Sequence, residues 1–303
     1  MKWTKVLLAA LLLCLAADVR AAARPAEAPA VTAARSLVAL EMSVLTARYF
    51  DEAAFGKLLA PDAFGFFGVG SVASTREELA HAVTDAWFEV QCGPDRPRAT
   101  HIEAGALGDS AAWVTFDIEY EQSECIVDSN KSFHITARVT QLLRKDAASG
   151  QWLVQALQYS EPSSDSKAVK AALAGQVREP AALPAINGDV RGALVQALSQ
   201  PAALADALAD APAVTLIGSA GKERAVGGKA VRKLLKSWKS VSFERVGGVR
   251  EWSQKDCCTY VAANVKATFK TKTGDATLYY HVLLIARPDG AVVSVHYGAA
   301  QYY

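Results

Sequence analysis

The chain carries nearly the same pattern twice. Ala63-Phe-Gly-Phe-Phe-Gly68 leads through a helical run to Trp87, and Ala213-Val-Thr-Leu-Ile-Gly218 leads through another to Trp238, the two intervals differing by one residue. Further on, Ser110-Ala-Ala-Trp-Val-Thr-Phe-Asp-Ile118 aligns with Cys257-Cys-Thr-Tyr-Val-Ala-Ala-Asn-Val265. Arg144-Lys-Asp146 then aligns with Arg287-Pro-Asp289, just before the last strand of each copy. A unit of this length is too long for a solenoid module and right for a whole domain, so the pattern reads as a tandem duplication. The expected units span 31–162 and 187–303, joined by an Ala-, Pro- and Ser-rich linker at 163–186 that carries a short helix near 166–177.

The first residues have the three parts of a secretory leader. Basic Lys2 and Lys5 precede an apolar core from Val6 to Ala17, and small residues at Val19-Arg-Ala21 suit a cut before Ala22. That core is shorter than the ~20 residues an anchor needs. The expectation is a signal peptide over 1–21 and a periplasmic or extracellular bacterial protein with no transmembrane anchor. A lipid-modified Cys14 is the weaker alternative, because Leu13 stands where a small residue normally precedes such a cysteine.

Beyond Cys14 the cysteines are Cys92, Cys125, Cys257 and Cys258. In an exported chain they permit disulfides. Cys92 with Cys125 is the favoured pair, against free thiols. Cys257 and Cys258 would point to opposite faces of a strand, which favours two buried thiols over a strained vicinal bridge.

The halves differ in charge. From 31 to 162 there are 10 Lys and Arg against 18 Asp and Glu, a net of −8; from 187 to 303 there are 15 against 9, a net of +6. Either the two surfaces have drifted apart, or the domains dock on each other, or the second attracts an anion.

Helical spacing of Leu37, Leu40, Val44 and Leu45 predicts a long opening helix. Asp51 caps a shorter helix with Phe55, Leu58 and Leu59, and Ser74 or Thr75 caps the helix that reaches Trp87. A strand lies at 64–69. After Pro97 the period becomes two, predicting strands at 99–107, 111–121, 132–145 and 151–160. The second unit repeats this: a leading helix interrupted by Pro201, a strand at 214–217, a helix at 228–238, and strands near 241–251, 257–270, 276–286 and 291–297. Helices followed by antiparallel strands make an α+β class.

These residues resemble the SnoaL-like branch of the nuclear transport factor 2-like superfamily. The resemblance lies in the strand-Gly entry to a helix ending in Trp, in Ala112-Trp-Val-Thr115, and in Leu142-Leu-Arg-Lys-Asp146 followed by Gly150-Gln-Trp-Leu-Val154. It implies two tandem cone-shaped, cystatin-like domains, each with N-terminal helices on a curved, mainly antiparallel sheet. In that superfamily the outer sheet face commonly makes a dimer, so the two copies are expected to pair as an intrachain pseudo-dimer.

Isomerases of that superfamily need a carboxylate base and an oxyanion donor in the cone, and no matching set is found. On the third anchor strand Ala112, Val114, Phe116, Ile118 and Tyr120 share one face, while Thr115, Asp117, Glu119 and Glu121 share the other. Asp117 therefore belongs on a polar outer face, opposite Lys266 across the interdomain contact, and is a weak catalytic candidate. His281 and His296 are the other weak catalytic candidates. His134, Arg138, Tyr280 and Tyr297 are the weak ligand-binding candidates. Basic Lys229, Arg232, Lys233, Lys236 and Lys239 form the solvated face of an amphipathic helix. The aromatic platforms of a nucleic-acid site are missing there. Gly68-Val-Gly70 lacks a surrounding βαβ unit, and no cofactor motif or metal-ligand spacing is found.

The leading expectation is an exported binding or interaction module for a small apolar or anionic ligand, without a strong catalytic signature. The alternative is an isomerase, dehydratase or cyclase working by acid-base chemistry in one cone.

Overall fold

The computed structural model of the protein describes residues 27–45, 51–67, 71–88, 97–123, 132–162, 165–177, 179–180, 183, 192–211, 213–238 and 240–300. The expected leader, Cys14, Cys92 and Cys125 lie outside the described residues.

The first unit opens with α1 (Pro29–Leu45), whose Ala30, Ala34, Leu37, Val38 and Glu41 form a buried stripe at helical spacing. In α2 (Glu52–Gly56) the Asp51 carboxylate accepts the Ala54 N–H at 2.9 Å, satisfying an otherwise orphan donor. The helix stops earlier than its apolar spacing implies. Leu59 begins β1 (Leu59–Phe67) because the strand is captured there by the strand at Trp152–Ser160, with Leu59 opposite Val154. A three-residue β2 (Ser71–Ala73) turns back on β1, and α3 (Arg76–Phe88) follows. At its start Thr75 Oγ1 accepts the Glu78 N–H while Glu78 reaches back to the Ser74 N–H, a capping box in which each side chain satisfies a backbone donor. The remaining strands are β3 (Arg98–Ala106), β4 (Ala111–Ser123), β5 (Ser132–Lys145) and β6 (Trp152–Ser160).

In the second unit α4 (Asp165–Leu173) lies within the stretch expected to be a linker, and it packs against the strand at Gly274–Ala286. Then come α5 (Gly192–Ser199), α6 (Pro201–Ala207), β7 (Thr215–Ile217), β8 (Arg224–Val226), α7 (Gly228–Ser237), β9 (Val241–Gln254), β10 (Cys258–Thr271), β11 (Gly274–Ala286) and β12 (Val292–Ala299). The break between α5 and α6 falls at Pro201, which takes the first helical position, where its missing N–H costs nothing.

The two six-stranded sheets have the same order, β2-β1-β6-β5-β4-β3 and β8-β7-β12-β11-β10-β9. In each, one central pair is parallel (β1 with β6, β7 with β12) and the rest are antiparallel. The chain is therefore α+β, with one topology built twice. β2 and β8 were not expected, since three residues are too few to show alternation.

One face of the first sheet is filled by its own helices: Leu37, Val38, Phe55, Leu79 and Val83 pack on Val114, Phe116, Ile118 and Val139. The other face turns toward the second sheet. Phe64 and Phe66 belong to the core cluster of the second unit, together with Trp113, Leu142 and Ala156. Phe64 stacks on Tyr260 at 5.9 Å between ring centres, and Phe66 on His281 at 4.3 Å. Gly298 on β12 permits this approach: a Cβ there would meet the Gln158 side chain and the Ser160 Cβ, each at 2.8 Å.

Candidate functional site

The period-two alternation of β4 and β10 holds in three dimensions, but the polar set does not face water. It faces the other unit. Asp117, Arg138, Thr140, Gln158, Ser160, Asn264, His281 and His296 are all buried. Asp117 accepts from Arg224 Nη1 at 2.7 Å and lies 3.1 Å from His101 Nδ1, and Arg224 also donates to the His101 carbonyl. Lys266, the expected partner of Asp117, instead meets Glu244 on the neighbouring strand at 3.4 Å. Arg224 reaches Asp117 first because β8 sets it at the edge of the second sheet, beside β3 and β4 of the first.

His296 sits between Ser160 Oγ, 2.7 Å from its Nε2, and Thr140 Oγ1, 3.1 Å from its Nδ1. Burial, reinforced by the positive charge of Arg138 and Arg224, holds its pKa well below the ordinary histidine value. His281 Nδ1 lies 2.7 Å from Asn264 Oδ1, its Nε2 finds no partner among the described residues, and burial pushes its pKa down to about 3. Both rings are neutral members of the joint, and they face the other sheet rather than the interior of their own unit. His134 is exposed on β5, opposite Glu121.

On the other face of the second sheet the alternation brings aromatic rings together. Trp238 at the end of α7, Phe243 on β9, Phe269 on β10, Tyr280 on β11 and Tyr297 on β12 line a narrow cleft with about 20 Å³ of free space, with Ser219 and Glu223 at its polar side. Trp238 meets Tyr297 edge to face at 5.2 Å, and Phe243 lies 5.8 Å from Trp238 and 5.9 Å from Tyr297. Tyr297 donates to the Leu198 carbonyl at 3.3 Å, and burial raises its pKa.

The Glu223 carboxylate accepts from Trp238 Nε1 at 2.8 Å and from the Ala220 N–H at 3.2 Å. Gly218 makes room for it, since a Cβ there would fall 2.3 Å from Glu223 Oε2. The loop holding Ser219 and Glu223 is gripped from the first unit. Arg138 Nη1 donates to the carbonyls of Gly218 and Ala220, and Nη2 to that of Gly221, each at 2.7 Å. Burial lowers the Arg138 pKa, and the nearby carboxylates of Asp117 and Glu223 oppose that fall while Arg224 adds to it.

Of the ligand-binding candidates, Tyr280 and Tyr297 come together in this cleft, and Arg138 acts on its rim from behind. Phe243 and Trp238 were legible only as apolar positions. Nothing in the local pattern marked Ser219 or Glu223, whose roles depend on a loop returning across the sheet edge.

The first unit's interior holds a different polar pair. Glu41 from α1 receives Gln141 Nε2 at 2.9 Å on both carboxylate oxygens. Burial pushes its pKa up to about 8, with the Gln141 hydrogen bond opposing. Among the described residues no group of three His, Cys, Asp or Glu side chains is placed to hold a metal ion. No described helix is long and apolar enough to cross a membrane.

No family model and no curated protein matches the chain. It is similar to solved structures, each about half its length. An uncharacterised protein with a cystatin-like fold from Caulobacter vibrioides is 16% identical and covers 48% of this chain and 98% of its own, with a TM-score of 0.37. A cystatin-like protein of unknown function from Nostoc punctiforme PCC 73102 is 16% identical over 44% of this chain and 91% of its own, with a TM-score of 0.35. The structure of LinA is 13% identical, covering 44% and 85%, with a TM-score of 0.36. On its own topology, the chain contains two α+β units in tandem, each a six-stranded sheet of the same strand order with its own helices.

Proposed function

We propose that this is an exported small-molecule binding protein, organised as an intrachain pseudo-dimer, whose ligand seat is the aromatic cleft of the second unit. The observation that carries the reading is the convergence of Trp238, Phe243, Phe269, Tyr280 and Tyr297 around one carboxylate, Glu223, on a loop held by Arg138. Ligand sites are apolar concavities with a few placed polar groups; the free space in this cleft is about 20 Å³, so its rings must move apart to admit a ligand. Its chemistry suits a compact, flat, apolar ligand with a donor or cationic group for Glu223, since ring faces attract positive charge. An anion is disfavoured in this cleft by Glu223. The first unit serves as a permanent partner that fixes the cleft rim.

The acid-base enzyme reading draws less support. Its two histidine candidates are buried in the joint with lowered pKa values, and among the described residues lining the cleft Glu223 is the one carboxylate.

Native mass spectrometry of the full chain tests the proposal. The wild-type protein should retain a compound of this class, and Trp238→Ala should release it while the protein stays folded. Equal retention by the variant, or an empty wild type that takes up neither indole nor a small aromatic amine, overturns it.

A further inference from the structure

The turn between β9 and β10 brings two cysteines into a relation that a strand would forbid. Successive strand side chains point to opposite faces. Here Cys257 is still in the turn and Cys258 is the first residue of β10. Asp256, just before them, has φ of 58°, in the left-handed region that non-glycine residues seldom adopt. That bend tips the Cys257 side chain toward its neighbour. The two Sγ atoms are 2.6 Å apart, inside the distance at which unbonded sulfurs touch.

We propose that Cys257 and Cys258 form a thiol–disulfide site that closes to a vicinal disulfide at the joint between the units. Three observations support it beyond the sulfur separation. Both residues are buried, at 4% and 1% exposure, so neither thiol is lost to a casual surface partner. Among the described residues no group of three His, Cys, Asp or Glu side chains is placed to hold a metal ion, so none of them draws the pair into a ligand set. The hydrogen bond with Cys258 lowers the Cys257 pKa, burial opposes that fall, and a hydrogen bond with Ser110, in the turn before β4 of the first unit, adds to it. The thiol of Cys258 is pushed the other way. Cys257 sits in the turn and Cys258 in the strand ladder, so Cys257 is the first of the two sulfurs freed when the turn unpacks and is the attacking sulfur.

The co-reactant is a small disulfide of the glutathione disulfide type, and exchange occurs while the turn is unpacked. The Cys257 thiolate attacks one sulfur of the donor, breaking its S–S bond, forming a mixed disulfide and expelling one thiolate. The Cys258 thiol then gives up its proton and attacks Cys257 Sγ, closing the vicinal bond and expelling the second thiolate. The two cysteine protons end on the two released thiols. The pair is oxidised by two electrons and the donor is reduced by two.

Trypsin cleavage after Lys255 and Lys266 isolates residues 256–266, which contain Cys257 and Cys258 and no other cysteine. The full chain is refolded in a glutathione/glutathione disulfide buffer, quenched with N-ethylmaleimide, digested and weighed. The expected peptide is lighter than the dithiol by two hydrogens and takes up maleimide only after reduction. Two maleimides without reduction, or a lasting glutathione adduct on the wild-type peptide, overturns the proposal. Cys258→Ser should trap glutathione on Cys257 at least tenfold more than Cys257→Ser traps it on Cys258. Equal trapping, with both variants folded by circular dichroism, overturns the assignment of Cys257 as the attacking sulfur.

Discussion

Arg224 Nη1 lies 2.7 Å from Asp117 Oδ1, joining the second unit to the first through an ion pair whose side chains are 15% and 8% exposed. The halves carry opposite net charge, and this is where that complementarity becomes a contact. A surface pair would contribute little, but here removing one partner leaves the other charge without compensation in a poorly solvated joint.

Asp117→Ala should therefore destabilise the protein by about 3–5 kcal/mol, whereas Glu244→Ala, which breaks the exposed contact with Lys266, should cost about 0–1 kcal/mol. Urea unfolding of the two variants measures both. Similar small losses would mean that the Asp117–Arg224 pair is effectively solvated.

Acid should loosen the joint. His281 titrates near 6.5 in the unfolded chain and near 3 in the folded protein, so between those values the unfolded state binds the extra proton. Stability is full above pH 6.5 and falls as the pH drops toward 3, by about 1.4 kcal/mol per unit over that window. His296, shifted in the same direction, adds to the fall. Melting temperature followed from pH 7 to pH 4 should decline in the wild type and decline less in His281→Phe, which keeps a ring against Phe66.

Glu41 acts in the opposite sense. Its carboxyl is raised from 4.5 to about 8, so its contribution is full below pH 4.5 and is lost as the pH rises toward 8. Glu41→Gln should be close to neutral at pH 5 and stabilising by about 1–3 kcal/mol at pH 8, where the wild type must either keep its carboxyl protonated or bury its charge. Denaturation at the two pH values separates this from a plain packing defect, which would appear equally at both.

Gly298→Ala should force β12 away from β6, because its Cβ would sit 2.8 Å from both Gln158 and Ser160. The expected loss is about 1–3 kcal/mol. Hydrogen exchange should rise at 158–160 and 296–298 and stay unchanged on α1, which packs on the far face of the first sheet. A uniform rise over the chain would show that the joint has no local stability of its own.

Arg138→Lys keeps the charge but cannot reproduce a guanidinium fork donating to three carbonyls. The 218–223 loop should gain exchange, with a loss of about 2–4 kcal/mol. Unaltered exchange there would mean that the grip on the cleft rim is dispensable.

The repeat of strand-Gly, helix and Trp was legible because both copies must satisfy the same packing: a helix stripe at period 3.6 over strands at period 2. The alternation of β4 and β10 likewise identified which residues share a face, since a one-residue slip would invert every side chain. What alternation could not say was where the second face goes. Asp117 read as part of a polar outer face opposite Lys266, but nothing in the alternation names which residue of a second sheet answers each polar side chain. Arg138 and His281 were legible as polar residues at matching strand positions, but their partners lie 80 or more residues away along the chain for Arg138 and across the joint for His281.

From the sequence alone come the two units, their α+β order, the strand parity and the aromatic positions Tyr280 and Tyr297, all set by local periodicity. Only the tertiary structure decided which polar residues meet across the joint, that Arg224 rather than Lys266 answers Asp117, that Glu223 enters an aromatic cleft, and that Cys257 turns toward Cys258. Each of those depends on a loop or turn bringing distant or oppositely directed groups within hydrogen-bond or contact distance, and short-range patterns carry no record of that.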